Sequence, residues 1–155
     1  MALPDRFLAP PRTVAPEASA QLAAERMDNE HVGSLVVIDE HEHPVGILTD
    51  RDIALGVLCE GLNPEEVSVA DLMSSPVQTL ARDQDLAMAA RLMRIHGVRR
   101  LPIVDGAGAL LGLIAADDLV QILSAEICHL SGAISRSFAL KSLPLPCQGS
   151  VFGPE

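Results

Sequence analysis

The sequence predicts an α/β (α+β) fold: two in-register repeats packed with pseudo-twofold symmetry, each a small three-stranded sheet with two helices. Three observations carry that prediction. Shifted by 66 residues, the chain aligns with itself without a gap, Asp5–Ile53 lying against Asp71–Leu119. Within each copy the apolar spacing reads strand, helix, strand, strand, helix. A repeat of ~50 to 60 residues is marginal as an independent fold because it buries too little of its own surface, so the two copies have to pack on each other. A pseudo-twofold relation then sets equivalent loops side by side and makes two similar clefts.

The elements follow in order. Thr13 and Thr79 match in the first strand of each copy. The first helix, Ser19 to Glu30, carries Leu22, Ala23 and Met27 at helical spacing, and its counterpart, Asp85 to His96, carries Leu86, Ala89, Ala90 and Met93. LVVID (Leu35–Asp39) and LPIVD (Leu101–Asp105) are short runs of strand-forming residues ending in an acid. Each is followed by a polar or Gly-rich turn and then by VGILT or LGLIA, which reads as two hairpin-like strand pairs. A helical pattern closes each copy, DRDIALGVLCEG in one and ADDLVQILSAEICHL in the other, and Gly61 with Asn63 and Pro64 ends the first. The resulting boundaries are repeat one at 1–62, a linker at 63–69, repeat two at 70–127, and a C-terminal helix extension with an irregular tail at 128–155.

Composition removes several classes of function. A net charge of −10 argues against nucleic acid, whose affinity comes mostly from Lys and Arg neutralising phosphates. With no Trp, no Tyr and three Phe, there are few rings on which bases could stack. Small anions remain open, because local arginines and helix N-termini outweigh a distant negative field. Cys59, Cys128 and Cys147 are odd in number and far apart, neither a disulfide framework nor a zinc spacing, so reduced thiols are expected. The opening MALPDRFLAPPR has an acid and three prolines where a signal peptide needs an apolar run, and no stretch approaches the ~20 apolar residues of a span. The expectation is a cytoplasmic chain with no membrane partner.

The informative phrase is GILTDRD, Gly46–Asp52, because its counterpart GLIAADD, Gly112–Asp118, keeps the frame but loses the threonine and the arginine. Thr49 and Asp52 fit a helix capping box, [ST]-x-x-[DE]. Capping alone does not account for copy two, where Ala115 replaces the hydroxyl while Asp118 is kept. An Asp in a first helical turn can accept hydrogen bonds from paired hydroxyls such as a ribose diol, while backbone N–H groups there attract phosphate. The other informative stretch is RLMRIHGVRRLPIVD, which holds four of the eleven basic residues. Arg91 and Arg94 read as a solvated helix face. Arg99 and Arg100 stand at the mouth of a strand, where two adjacent guanidiniums can clamp a phosphate.

A duplicated strand-helix-strand-strand-helix unit with G-h-h-[ST]-x-x-D after its last strand, and h-P-h-h-D in the strand before it, resembles a pair of cystathionine-β-synthase (CBS) domains, the Bateman module. The resemblance covers about Asp5 to Ala125. It implies an adenosine-containing ligand such as AMP, ADP or ATP, with Asp52 on the ribose diol, Thr49 on ribose or phosphate, and Arg51, Arg99 and Arg100 on phosphate. It also implies an adenine resting on Thr13, Val14 and Ile47. The mirror positions Thr79, Leu113 and Asp118 form a degenerate second site, since Ala115, Gly33 and Ser34 replace the hydroxyl and the arginines. The resemblance further implies homodimers.

Other constellations carry less. His41 and His43 in DEHEH match DGAGA of copy two and read as a hairpin tip, so no metal site is expected. His31 and His96 sit at helix ends and suit the dipole there. No catalytic set emerges. Ile122, Ile127, Leu130 and Ile134 form an apolar stripe on the last helix. The expected function is a non-enzymatic sensor without a cofactor, biasing an unknown effector protein or its own dimer. The alternatives are a ligand-free dimerisation scaffold and an S-adenosylmethionine sensor.

Overall fold

The structure, a computed structural model, describes residues 5–8 and 11–137. The chain divides into two compact units, Met1–Ala116 and Asp117–Glu155. In the first, a 3-10 turn at Asp5–Leu8 precedes β1 (Thr13–Val14), α1 (Ala20–Asn29), β2 (Ser34–Ile38), β3 (Pro44–Thr49) and α2 (Asp50–Ile53). α2 runs on as a π-helical segment, Ala54–Leu58. The second copy opens with the short α3 (Val69–Leu72), followed by β4 (Leu80–Ala81), α4 (Leu86–His96), β5 (Arg100–Val104) and β6 (Leu110–Ala115). α5 (Ala116–Ser137) accounts for the described part of the second unit.

The duplication is written into the backbone. Each copy forms a three-stranded sheet, β1-β2-β3 and β4-β5-β6, with a parallel first pair and an antiparallel second pair. Both hairpins shift register at equivalent places, Val37/Ile38 and Ile103/Val104. Their tips are the same turn: Asp39 Oδ1 accepts the N–H groups of His41 and His43, and Asp105 Oδ1 those of Ala107 and Ala109. The DEHEH tip is thus shaped by its acid, and no cluster of potential metal ligands occurs among the described residues.

Local chemistry sets the helix limits. Ser19 and Asp85 each accept the N–H three residues on, from Leu22 and Met88, and so cap α1 and α4. α4 stops at Gly97 with a left-handed φ of 65°, the conformation a glycine reaches without a Cβ penalty. At the matching place after α1 stands His31, with φ 53°. Alternation in β2 and β3 buries Leu35, Val37 and Leu48 with Val14, Ala23 and Met27 of the same copy. Complete burial of one such leucine contributes about 1.5–3 kcal/mol. Copy two buries Leu80, Ala89, Leu101, Ile103 and Ile114 in the same way.

Two segments that the sequence pattern does not announce join the copies. The 3-10 turn lies across Gly112 of β6, and the chain after α3 lies across Gly46 of β3. The second crossing is hydrogen-bonded: Ile47 and Ser74 exchange N–H and C=O bonds at 3.2 and 2.9 Å. The 63–69 linker is also ordered, with Ala20 N–H bonded to Val67 O and Val69 N–H to Ala18 O, both at 2.8 Å.

In the second unit α5 is one continuous helix of 22 residues. Of its expected stripe Ile122 is buried while Ile127 and Leu130 are each 63% exposed, and the Ile134 side chain lies outside the described residues. Cys59 is free and exposed, but Cys128 is in a disulfide, which corrects the expectation of reduced thiols. Cys147 and the rest of the proposed irregular tail lie outside the described residues. No described helix is long and apolar enough to cross a membrane.

Candidate functional site

The register of β3 decides what faces the cleft. Gly46 and Leu48 point into the core, so Ile47 and Thr49 point the other way. Thr49 then caps α2 and brings Asp52 back over the strand end. The Thr49 N–H donates to Asp52 Oδ2 at 2.8 Å and its hydroxyl donates to the same oxygen at 2.7 Å, while the Asp52 N–H donates to Thr49 Oγ1 at 3.2 Å. The capping box read from the sequence is therefore formed.

Copy two supplies the opposite wall. The crossing at Ser74 carries Pro76, Val77 and Gln78 past Ile47, and the loop after α4 presents Gly97, Val98, Arg99 and Arg100. Together with Thr49, Arg51 and Asp52 these residues line one cleft of about 430 Å³. Thr49, Asp52 and Arg100 are half-buried, whereas Arg51 and Arg99 are exposed. Neither Arg51 nor Arg100 is in an ion pair among the described residues. Three guanidiniums face one carboxylate, so the cleft is locally cationic in a protein of net charge −10. It can hold an anion on one part of its lining, an apolar ring on Ile47, Pro76, Val77 and Val98, and a hydroxyl on Asp52.

Of the residues expected from sequence, the structure gathers Ile47, Thr49, Arg51, Asp52, Arg99 and Arg100 into this cleft. It does not bring Thr13 and Val14 there. They line a separate cavity of about 720 Å³ with Ala15, Pro16, Glu17, Arg26, Ile38, Asp39 and Glu40. The apolar floor beside Ile47 is instead Pro76 and Val77, from the other copy. Gln78 was not singled out by sequence reasoning either. The missing signal was the crossing, since the 66-residue self-alignment orders the copies but does not say which first strand passes which cleft. On the mirror side Thr79 and Leu113 are half-buried, and Asp118 stands in the first turn of α5, in the second unit.

A duplicated β-α-β-β-α module whose cleft takes Asp52 and Arg51 from one copy and Arg99 and Arg100 from the other defines a class of paired ligand-binding repeats. The chain belongs to the CBS-domain family: the model of the CBS domain matches it twice, at residues 6–58 and 69–125. An uncharacterized protein of Methanopyrus kandleri is 40% identical over 110 residues, 71% of this chain and 56% of its own length, so the chain spans little more than half of that relative. Among solved structures, a protein with CBS domains from Burkholderia ambifaria is 31% identical with a TM-score of 0.69, the match covering 80% of this chain and 89% of that one. A CBS domain protein from Pyrobaculum aerophilum complexed with AMP is 25% identical with a TM-score of 0.64, covering 71% of this chain and 83% of that one.

Proposed function

We propose that this chain is a non-enzymatic regulatory module that holds an adenine nucleotide, AMP, ADP or ATP, in the Asp52 cleft and passes its occupancy to a partner protein or to its own homodimer. The observation that carries the reading is the meeting of Asp52 with Arg51, Arg99 and Arg100 around one cleft of about 430 Å³. The AMP complex of the Pyrobaculum relative supports the ligand class. S-adenosylmethionine has no phosphate for these arginines to hold, so the phosphate-bearing ligands fit better. The cleft lining contains no His, Cys or Lys, and its one carboxylate already caps a helix, which supports binding over turnover. At the positions 66 residues away the chain carries Ala115 for Thr49, Asp117 for Arg51, and Gly33 and Ser34 for Arg99 and Arg100. That supports one nucleotide per chain.

Control of an output requires the nucleotide to bind two conformations with different affinity. The first test is thermal unfolding with AMP, ADP, ATP, NAD and S-adenosylmethionine, on wild type and on Asp52→Ala. A ligand at roughly 100 times its Kd adds about 2.7 kcal/mol, a shift of several degrees at this size. A shift with the phosphate-bearing nucleosides that disappears in Asp52→Ala supports the reading. No shift with any of the five turns it toward a ligand-free dimerisation scaffold.

A further inference from the structure

α1 and α4 hold the same place in the two copies, yet their outer faces carry opposite charge. Glu25 and Asp28 on α1 stand 66 residues before Arg91 and Arg94 on α4, and all four are exposed. Residues three apart share one side of a helix, so each pair forms one patch, acidic on α1 and basic on α4. Neither patch is neutralised within the chain. Arg91, Arg94 and Asp28 have no side-chain hydrogen bond or ion pair among the described residues, and Glu25 accepts only from the Gln21 amide. Arg26, beside the acids, is already held by Glu30 at 3.0 Å. An exposed aliphatic side chain flanks each patch, Leu22 at 53% and Ile95 at 58%. The order along the helices is complementary too. From its N-terminal end α1 presents Leu22, Glu25 and Asp28; from its C-terminal end α4 presents Ile95, Arg94 and Arg91. Laid antiparallel, two such faces set leucine against isoleucine and each acid against an arginine.

We infer that the two patches are the halves of one homodimer contact: α1 of one chain lies antiparallel on α4 of a second copy, and a twofold axis repeats the contact with the roles exchanged. The inference rests on the homodimer named in the reading above and gives it a face and an orientation. Like-with-like pairing, α1 on α1 and α4 on α4, would set acid against acid and arginine against arginine, which disfavours that arrangement.

Analytical ultracentrifugation of the full chain separates the possibilities. The proteins are wild type, the basic variant Glu25→Arg/Asp28→Arg, the acidic variant Arg91→Glu/Arg94→Glu, the variant with all four changes, and an equimolar mixture of the basic and acidic variants. Wild type is expected to be a dimer that added salt weakens. The basic and acidic variants alone are each expected to dissociate at least roughly ten-fold more readily, because every exposed pair turns from attraction to repulsion. The four-change variant and the mixture recover the dimer, which also shows that the loss was not one of folding. Unchanged dimers in both two-site variants would place the interface elsewhere or pair like with like, and would overturn the inference while leaving the homodimer standing. Loss without recovery in the four-change variant overturns it as well, and so does an open polymer in place of a dimer. A monomeric wild type removes the homodimer itself, whereas the nucleotide part of the reading is judged separately by the thermal shift.

Discussion

The backbone of Phe7 rests on Gly112 with no room for a side chain between them: a Cβ built on Gly112 meets the Phe7 carbonyl group and comes to 3.0 Å from Leu8 Cα. At the matching place in the first copy, a Cβ on Gly46 meets the Met73 side chain, with Cγ at 3.0 Å, and Ser74 O at 3.2 Å. The glycine that opens both GILTDRD and GLIAADD is thus where the chain of the other copy crosses. Backbone cannot yield as a thioether can, so the two alanine variants should differ. Gly112→Ala is expected to lose about 1–3 kcal/mol or to lift the 3-10 turn, and Gly46→Ala distinctly less. Urea unfolding of both variants checks the order, and equal losses would mean that the turn at Asp5–Leu8 is not held against β6.

His31 occupies a left-handed position, φ 53°, where the second copy has Gly97 at φ 65°. A non-glycine residue there costs roughly 1–2 kcal/mol, and glycine gives back part of that through its freer unfolded chain. His31→Gly is therefore expected to stabilise the protein by about 0.5–1 kcal/mol, read as a rise in Tm. A fall would mean that the imidazole makes a favourable interaction with the end of α1 worth more than the strain.

Much of the fold was legible because it was written twice. Helix limits expected at Ser19–Glu30 and Asp85–His96 enclose α1 at Ala20–Asn29 and α4 at Leu86–His96, with Ser19 and Asp85 as caps. Capping and periodicity are local, and local signals survive in a single sequence. The crossings are not local. Asp5–Leu8 and Ser74–Gln78 have little periodicity of their own, and their place is decided by glycines on a strand of the other copy. For the same reason Thr13 and Val14 were expected at the cleft and lie elsewhere, while Pro76, Val77 and Gln78 line it unannounced.

The hairpin tip should carry an acid-sensitive contribution. The N–H of His43, and with it that of His41, holds the Asp39 carboxyl below its ordinary value of 3.8. A depressed folded-state value means stabilisation that is present above the unfolded-state value and lost as pH falls through the folded one. Asp39→Asn keeps an acceptor but does not titrate. The difference in urea midpoint between wild type and Asp39→Asn is expected to be constant above about pH 5 and to change progressively below about pH 4, in the direction of wild type losing stability. A gap that does not move with pH would show that the folded and unfolded carboxyls titrate alike.

Arg100 offers the sharpest separation of charge from shape in the cleft. It is half-buried and in no ion pair among the described residues, whereas Arg51 and Arg99 are exposed. Salt screens exposed charges more than partly buried ones, so Arg100 should hold a phosphate more firmly than either neighbour. Replacing it by alanine is expected to weaken AMP by about ten-fold, the scale of one charge-assisted hydrogen bond, while adenosine affinity stays within about two-fold. Titration of both ligands at low and moderate salt checks the assignment: the AMP affinity of wild type should fall with added salt, while the ratio of wild-type to Arg100→Ala affinity for AMP should change little. Equal losses for AMP and adenosine would place Arg100 under the base or sugar and leave the phosphate to Arg51 and Arg99.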